Sequence, residues 1–144
     1  MKKHVIVPII CICLLAFLLA DIVYQKYLEN NIITPPVYFL QTGVYTNKQN
    51  IKNINTNYIT IEEENKYYTY LGMTMDKKIA NKLKKIYEEK QIPIFIKEVN
   101  INNQEFINEL TQYDILLNNT DNKEEIENIL ETILSTYEET LKTS

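Results

Sequence analysis

Two short phrases carry the side chains best suited to hold a ligand: Tyr38-Phe39-Leu40-Gln41-Thr42-Gly43-Val44-Tyr45 and Tyr67-Tyr68-Thr69-Tyr70-Leu71-Gly72-Met73-Thr74. Phenolic hydroxyls and a glutamine amide both donate and accept hydrogen bonds. Each phrase has glycine at its sixth position, and these are the only two glycines in the chain. A glycine near a strand end marks a bulge or a point where something approaches the backbone closely. The repetition suggests a small duplicated β-α-β unit with a ligand lying in front of it. Gln41, Gly43, Tyr45, Tyr68, Tyr70 and Gly72 are the candidate contacts.

Catalytic chemistry has little to work with. The one histidine is His4, ahead of the apolar run, and both cysteines, Cys11 and Cys13, lie inside that run. Beyond residue 23 this removes Cys–His and Ser–His nucleophile pairs and most zinc sites. A glycosidase needs two carboxylates across a cleft, and Glu62, Glu63 and Glu64 offer theirs in an expected turn. The reading is a non-enzymatic protein without cofactor or metal.

These side chains must be placed by strands. Alternation with Tyr, Phe and Val predicts strands over Val37–Tyr45 and 66–73. Two more are expected at 58–62 and 94–99, with Glu63-Glu64-Asn65-Lys66 turning between the second and third. Ile51 and Ile54 allow a weak helical turn or two within 47–55. Asp76 is a good N-cap for a helix to about Lys90, whose apolar stripe is Ile79, Ala80, Leu83, Ile86 and Tyr87. Ile92-Pro93 stops it. The fold class that follows is α+β: a four-stranded antiparallel sheet with two helices on one face, the split β-α-β or ferredoxin-like arrangement. Leu40, Val44, Thr69 and Leu71 would face the helices. Gln41, Gly43, Tyr45, Tyr68, Tyr70 and Gly72 would line an open face.

Two further amphipathic helices follow. Asn103 caps the first, with Phe106, Ile107, Leu110 and Tyr113 on its apolar side. Asp121 caps the second, whose stripe runs Ile126, Ile129, Leu130, Ile133, Leu134, Tyr137 and Leu141. Its polar face is acidic: the last 24 residues hold 7 acids and 2 lysines. That face is read as solvated surface, with docking of a protein partner as the alternative. Residues 27–120 are near neutral, with 10 lysines against 11 acids, so no basic nucleic-acid footprint exists.

The chain opens Met1-Lys2-Lys3-His4 and continues apolar from Val5 to Ala20, then past Asp21 through Ile22 and Val23. Residues 5–23 as a helix would span roughly 28 Å, enough to cross a bilayer's hydrocarbon core. A cleaved signal peptide is the rival, but the run is long and no small-x-small site follows it. The expected organisation is a cytoplasmic start at 1–4, a single membrane span at 5–23, and a linker at 24–36 stiffened by Pro35 and Pro36. A domain at 37–99 and a helical extension at 100–144 follow. Lys2 and Lys3 favour the N-terminus inside and the folded part extracytoplasmic, at the cell membrane.

The two phrases resemble the SPOR domain, the sporulation-related repeat of bacterial envelope proteins. Leu40-Gln41-Thr42-Gly43-Val44-Tyr45 follows its first-strand pattern, and Gly72 and Ala80 fit the end of its third strand and the start of the next helix. The match covers about residues 37–99. Tyr68 stands where an arginine is often seen, and the two C-terminal helices are additional. The resemblance implies a SPOR fold that binds peptidoglycan glycan strands, preferring those stripped of stem peptides, at division or sporulation septa. Sugar rings would pack their C–H faces on Tyr45, Tyr68 and Tyr70, with Gln41 hydrogen-bonding hydroxyl and acetamido groups. The alternative is a membrane-anchored adaptor that docks other envelope or division proteins.

Overall fold

A computed structural model describes residues 19–24, 26, 34–51 and 54–143. The chain divides into two units, Met1–Ile33 and Thr34–Ser144. In the first, residues 19–24 and 26 are helical, with Leu19, Ile22, Val23 and Tyr24 exposed. Most of the expected span at 5–23 and of the linker lies outside the described residues. Among the described residues, no helix is long and apolar enough to cross a membrane.

The second unit is α+β. Its elements are β1 (Val37–Tyr45), a 3-10 turn (Lys48–Asn50), β2 (Ile59–Glu63), β3 (Lys66–Thr74), α1 (Lys77–Glu89), β4 (Phe95–Val99), α2 (Gln104–Asn119) and α3 (Lys123–Thr143). The strands form one antiparallel sheet in the order β2-β3-β1-β4. Glu64 and Asn65, at φ 50° and 61°, make the β2–β3 turn. Two left-handed residues match such a hairpin to the right-handed twist of its strands. Asp76 caps α1 by accepting from the Lys78 N–H, and Asn103 caps α2 by accepting from the Phe106 N–H. At α3 the cap is Asn122 rather than Asp121, its side-chain oxygen accepting from the Glu124 and Glu125 N–H groups. Asp121 is instead held by Lys82 at 2.8 Å.

The weak helical turn expected within 47–55 is a single 3-10 turn, so the described residues between β1 and β2 hold no α-helix to lie on the sheet. One expectation changes. The C-terminal helices are not an appendage: α3 packs on β3, and Phe106, Leu110, Leu117, Ile126, Leu130, Ile133 and Leu134 join one core with Leu40, Leu71, Met73, Leu83 and Tyr87. Every buried apolar residue among the described ones lies between Val37 and Leu134.

Candidate functional site

The alternation of β1 is broken twice. Its pairing with β3 shifts register between Phe39 and Gln41, and again between Gln41 and Gly43. Side chains change face every residue along a regular strand, so each irregularity re-aims those beyond it. Val44, expected under the helices, is exposed, while Phe39 and Leu40 are both buried although adjacent.

The expected open face is consequently not open. Tyr70 is only 1% exposed. Its ring lies 4.9 Å from Phe39, which in turn meets Tyr137 of α3 at 5.5 Å, and Tyr137 meets Phe106 of α2 at 5.0 Å. Lys97 of β4 donates to the Tyr70 hydroxyl at 3.2 Å and sits 4.6 Å above the Tyr68 ring. Burial pushes the Tyr70 phenol above its ordinary pKa, against the lowering effect of Lys97. The same Lys97 reaches Glu63 at 3.3 Å. β2 and β4 are the two sheet edges, three strand spacings apart, and these two long side chains meet across β3 and β1. Tyr68 is half-buried beneath this bridge. The sequence missed Lys97, and nothing in its short strand signalled that it would reach across the sheet.

Gly72 is also buried. A Cβ there would fall 2.8 Å from Leu130 Cδ2 of α3 and 3.2 Å from Leu40 Cδ1. What approaches this backbone closely is a core leucine of the last helix, not a ligand. Gly72→Ala should overpack the contact and cost about 1–3 kcal/mol, read as a lower midpoint in urea with an unchanged slope.

The first phrase fares differently. Gln41 and Gly43 border a shallow depression of about 220 Å³ with Pro93 and Phe95. Thr42 and Pro93 also line a neighbouring groove of about 680 Å³, which Tyr45 lines with Asn55, Lys90, Gln91 and Glu127. Gly43 has a definite role here: a Cβ would lie 2.6 Å from the Tyr45 Cε2 and hydroxyl, so its absence makes room for the phenol end of that ring. Lys90 and Glu127 form an ion pair at the groove wall. Phe95, the cross-strand neighbour of Gln41, is 64% exposed. Gln91 follows the C-cap of α1 with φ 60°, a left-handed conformation costly for a side chain without amide–backbone compensation. The Ile92 N–H returns to the Tyr87 carbonyl at 3.0 Å and fixes this turn. The sequence showed Ile92-Pro93 only as a stop; the amide beside it was the missed residue.

Three of the six expected contacts, Gln41, Gly43 and Tyr45, thus line two adjacent depressions beside β1, while Tyr68, Tyr70 and Gly72 lie elsewhere. Among the described residues no group of three or more His, Cys, Asp or Glu side chains is placed to hold a metal. No known protein family, curated protein or solved structure matches this chain.

Proposed function

We propose that this chain is a membrane-anchored, single-pass envelope protein whose folded unit binds peptidoglycan glycan strands in the groove beside β1. The observation that carries the reading is the placement of Gln41, Tyr45, Asn55, Gln91 and exposed Phe95 around two adjacent open depressions that share Thr42 and Pro93. Three amides and two aromatic rings suit a polyhydroxylated, acetamido-bearing polymer: rings take the C–H faces and amides take the donors and acceptors. Open clefts of this kind accept a chain passing through, where a closed cavity would not. The SPOR resemblance in Leu40-Gln41-Thr42-Gly43-Val44-Tyr45 supports the same ligand, and the order β2-β3-β1-β4 is compatible with a split β-α-β relative. In that reading α3 supplies the helical cover on β3 that the short β1–β2 connection does not. Residues 5–23 would hold the unit at the outer surface of the cell membrane, at division or sporulation septa.

Sugar contacts of this kind are shallow and compete with water, so affinity should be on the order of micromolar, about −8 kcal/mol. The unit 34–144 should co-sediment with purified sacculi, more so after an amidase has removed the stem peptides. Gln41→Ala and Tyr45→Ala should each weaken that binding about tenfold while shifting stability by no more than about 0.5 kcal/mol. Gln91→Gly separates site from scaffold most sharply. It should raise stability by several tenths of a kcal/mol, because glycine adopts positive φ freely, and should lower sacculus binding. A folded unit that ignores both kinds of sacculi would overturn the glycan reading in favour of the adaptor.

A further inference from the structure

The outward face of α1 carries a row of lysines that the fold does not use. Lys77, Lys78, Lys84 and Lys85 stand at i, i+1, i+7 and i+8, which places them on one side of a helix. Ile79, Ala80, Leu83 and Tyr87 are buried on the other. Lys77, Lys78 and Lys85 are exposed and make no ion pair among the described residues; Lys84 has only a 3.7 Å contact with Glu88. The fifth lysine of this stretch, Lys82, is turned aside, donating to the Thr120 carbonyl at 2.6 Å and pairing with Asp121.

Two of the unused lysines occupy the first turn of α1, which contains no acid. The N-terminal end of a helix carries partial positive charge and disfavours cations. A helix selected for stability alone would carry acids there. Four carboxylates near the row offset it in part, since hydrogen bonds to neutral groups leave a carboxylate's charge in place. Asp76 accepts from the Lys78 N–H at 2.6 Å. Asp114 accepts from the Thr74 hydroxyl at 2.5 Å and the Met75 N–H at 2.8 Å. Glu88 and Glu89 lie at the far end of the helix, Glu89 paired with Lys123 at 3.0 Å.

Apolar surface adjoins the row. Ile115 of α2 is 52% exposed and shares a cleft with Lys77, Met75 and the carboxylates Asp76 and Asp114; Leu116 beside it is 51% exposed. Lysines next to exposed branched aliphatics are the composition of a surface that rests on a charged bilayer. The rest of the unit does not repeat it, since the last 24 residues are acidic.

We infer that the Lys77–Lys78–Lys84–Lys85 face of α1, flanked by Ile115, docks on anionic phospholipid headgroups. If residues 5–23 span the membrane, only ten residues, 24–33, separate that span from Thr34, about 35 Å at full extension. The tether would keep the face at high local concentration near the headgroups. The docking itself needs no glycan and is independent of the groove.

The test uses the unit 34–144 with vesicles of phosphatidylcholine alone and with about a third phosphatidylglycerol. It should sediment with the anionic vesicles and not with the neutral ones, and binding should fall steeply as salt shortens the Debye length. K77Q/K78Q should reduce partitioning about thirtyfold, at roughly one charge-equivalent of attraction per lysine. Helix content should hold or rise in that variant, because the dipole conflict is removed. I115S should reduce partitioning further without changing its salt dependence. Equal binding to both vesicle types, or none to either, would overturn the inference. So would an unchanged K77Q/K78Q variant, or capture by a soluble polyphosphate that vesicles cannot compete away, which would assign the row to free polyanions.

Discussion

Tyr70→Ala is expected to destabilise the unit by about 3–5 kcal/mol, the range for removing a large buried aromatic side chain. The residue is 1% exposed and its ring links Phe39 to the Tyr137 and Phe106 rings of the C-terminal helices. A loss of that size shifts the melting temperature of a domain near 100 residues by on the order of 15 °C or more. Had Tyr70 been a ligand contact on an open face, the melt would have moved little. The comparison with Tyr68→Ala sharpens this, because Tyr68 is only half-buried. Its ring packs at the margin of the core and carries Lys97 above it, a cation–π contact at 4.6 Å worth about 0.5–1 kcal/mol at an accessible site. Thermal melts of the two variants should therefore differ widely, and equal shifts would mean that α3 does not cover Tyr70.

Leu83→Asp is the second large effect. Leu83 is 1% exposed at the centre of the buried face of α1. Truncating a buried leucine already costs about 2–5 kcal/mol, and an unpaired carboxylate in its place adds a desolvation penalty of several more. Against a total stability of about 5–15 kcal/mol, the variant should show no cooperative unfolding transition in circular dichroism. A folded Leu83→Asp protein would mean that α1 does not pack on the sheet.

Local pattern made the elements legible. The four strands, the 77–89 helix and both C-terminal helices lie within a residue or two of where period and capping place them, and Asp76 and Asn103 cap as their side chains suggest. Placement across the sheet was less legible, for two reasons. The two register shifts in β1 leave no mark in a phrase that alternates well on paper, yet they re-aim Val44 and bring Phe39 into the core. The C-terminal stripe from Ile126 to Tyr137 announced a helix that must bury one face, and an aromatic sheet face lacking cover was the available surface. Treating the two as separate left Tyr70 and Gly72 exposed in expectation, when Leu130 and Tyr137 cover that region. Gly72 did carry a readable signal, close approach to the backbone, but the sequence could not say that the approaching group was the chain's own leucine.

For the groove, half of the constellation was legible. Gln41, Gly43 and Tyr45 stand in one phrase, and Gly43 serves the position of Tyr45. Asn55, Gln91 and Phe95 come from segments 10 to 54 residues away that only the tertiary fold brings alongside. No spacing rule links a β1 phrase to the turn after α1, so Gln91 and Phe95 had no signature beyond their neighbour Pro93.

A glycan strand is expected to bind in the depressions beside β1 rather than on the face around Tyr68 and Tyr70. The most direct measurement is the set of backbone amide shifts of the 34–144 unit, recorded by nuclear magnetic resonance during titration with amidase-treated glycan strands. Saturable shifts are expected at Gln41, Gly43, Tyr45, Asn55, Gln91 and Phe95, with Tyr68, Tyr70 and Gly72 little changed. Shifts centred on Tyr68 and Lys97 with a silent groove, or no saturable shifts at all, would contradict that binding site.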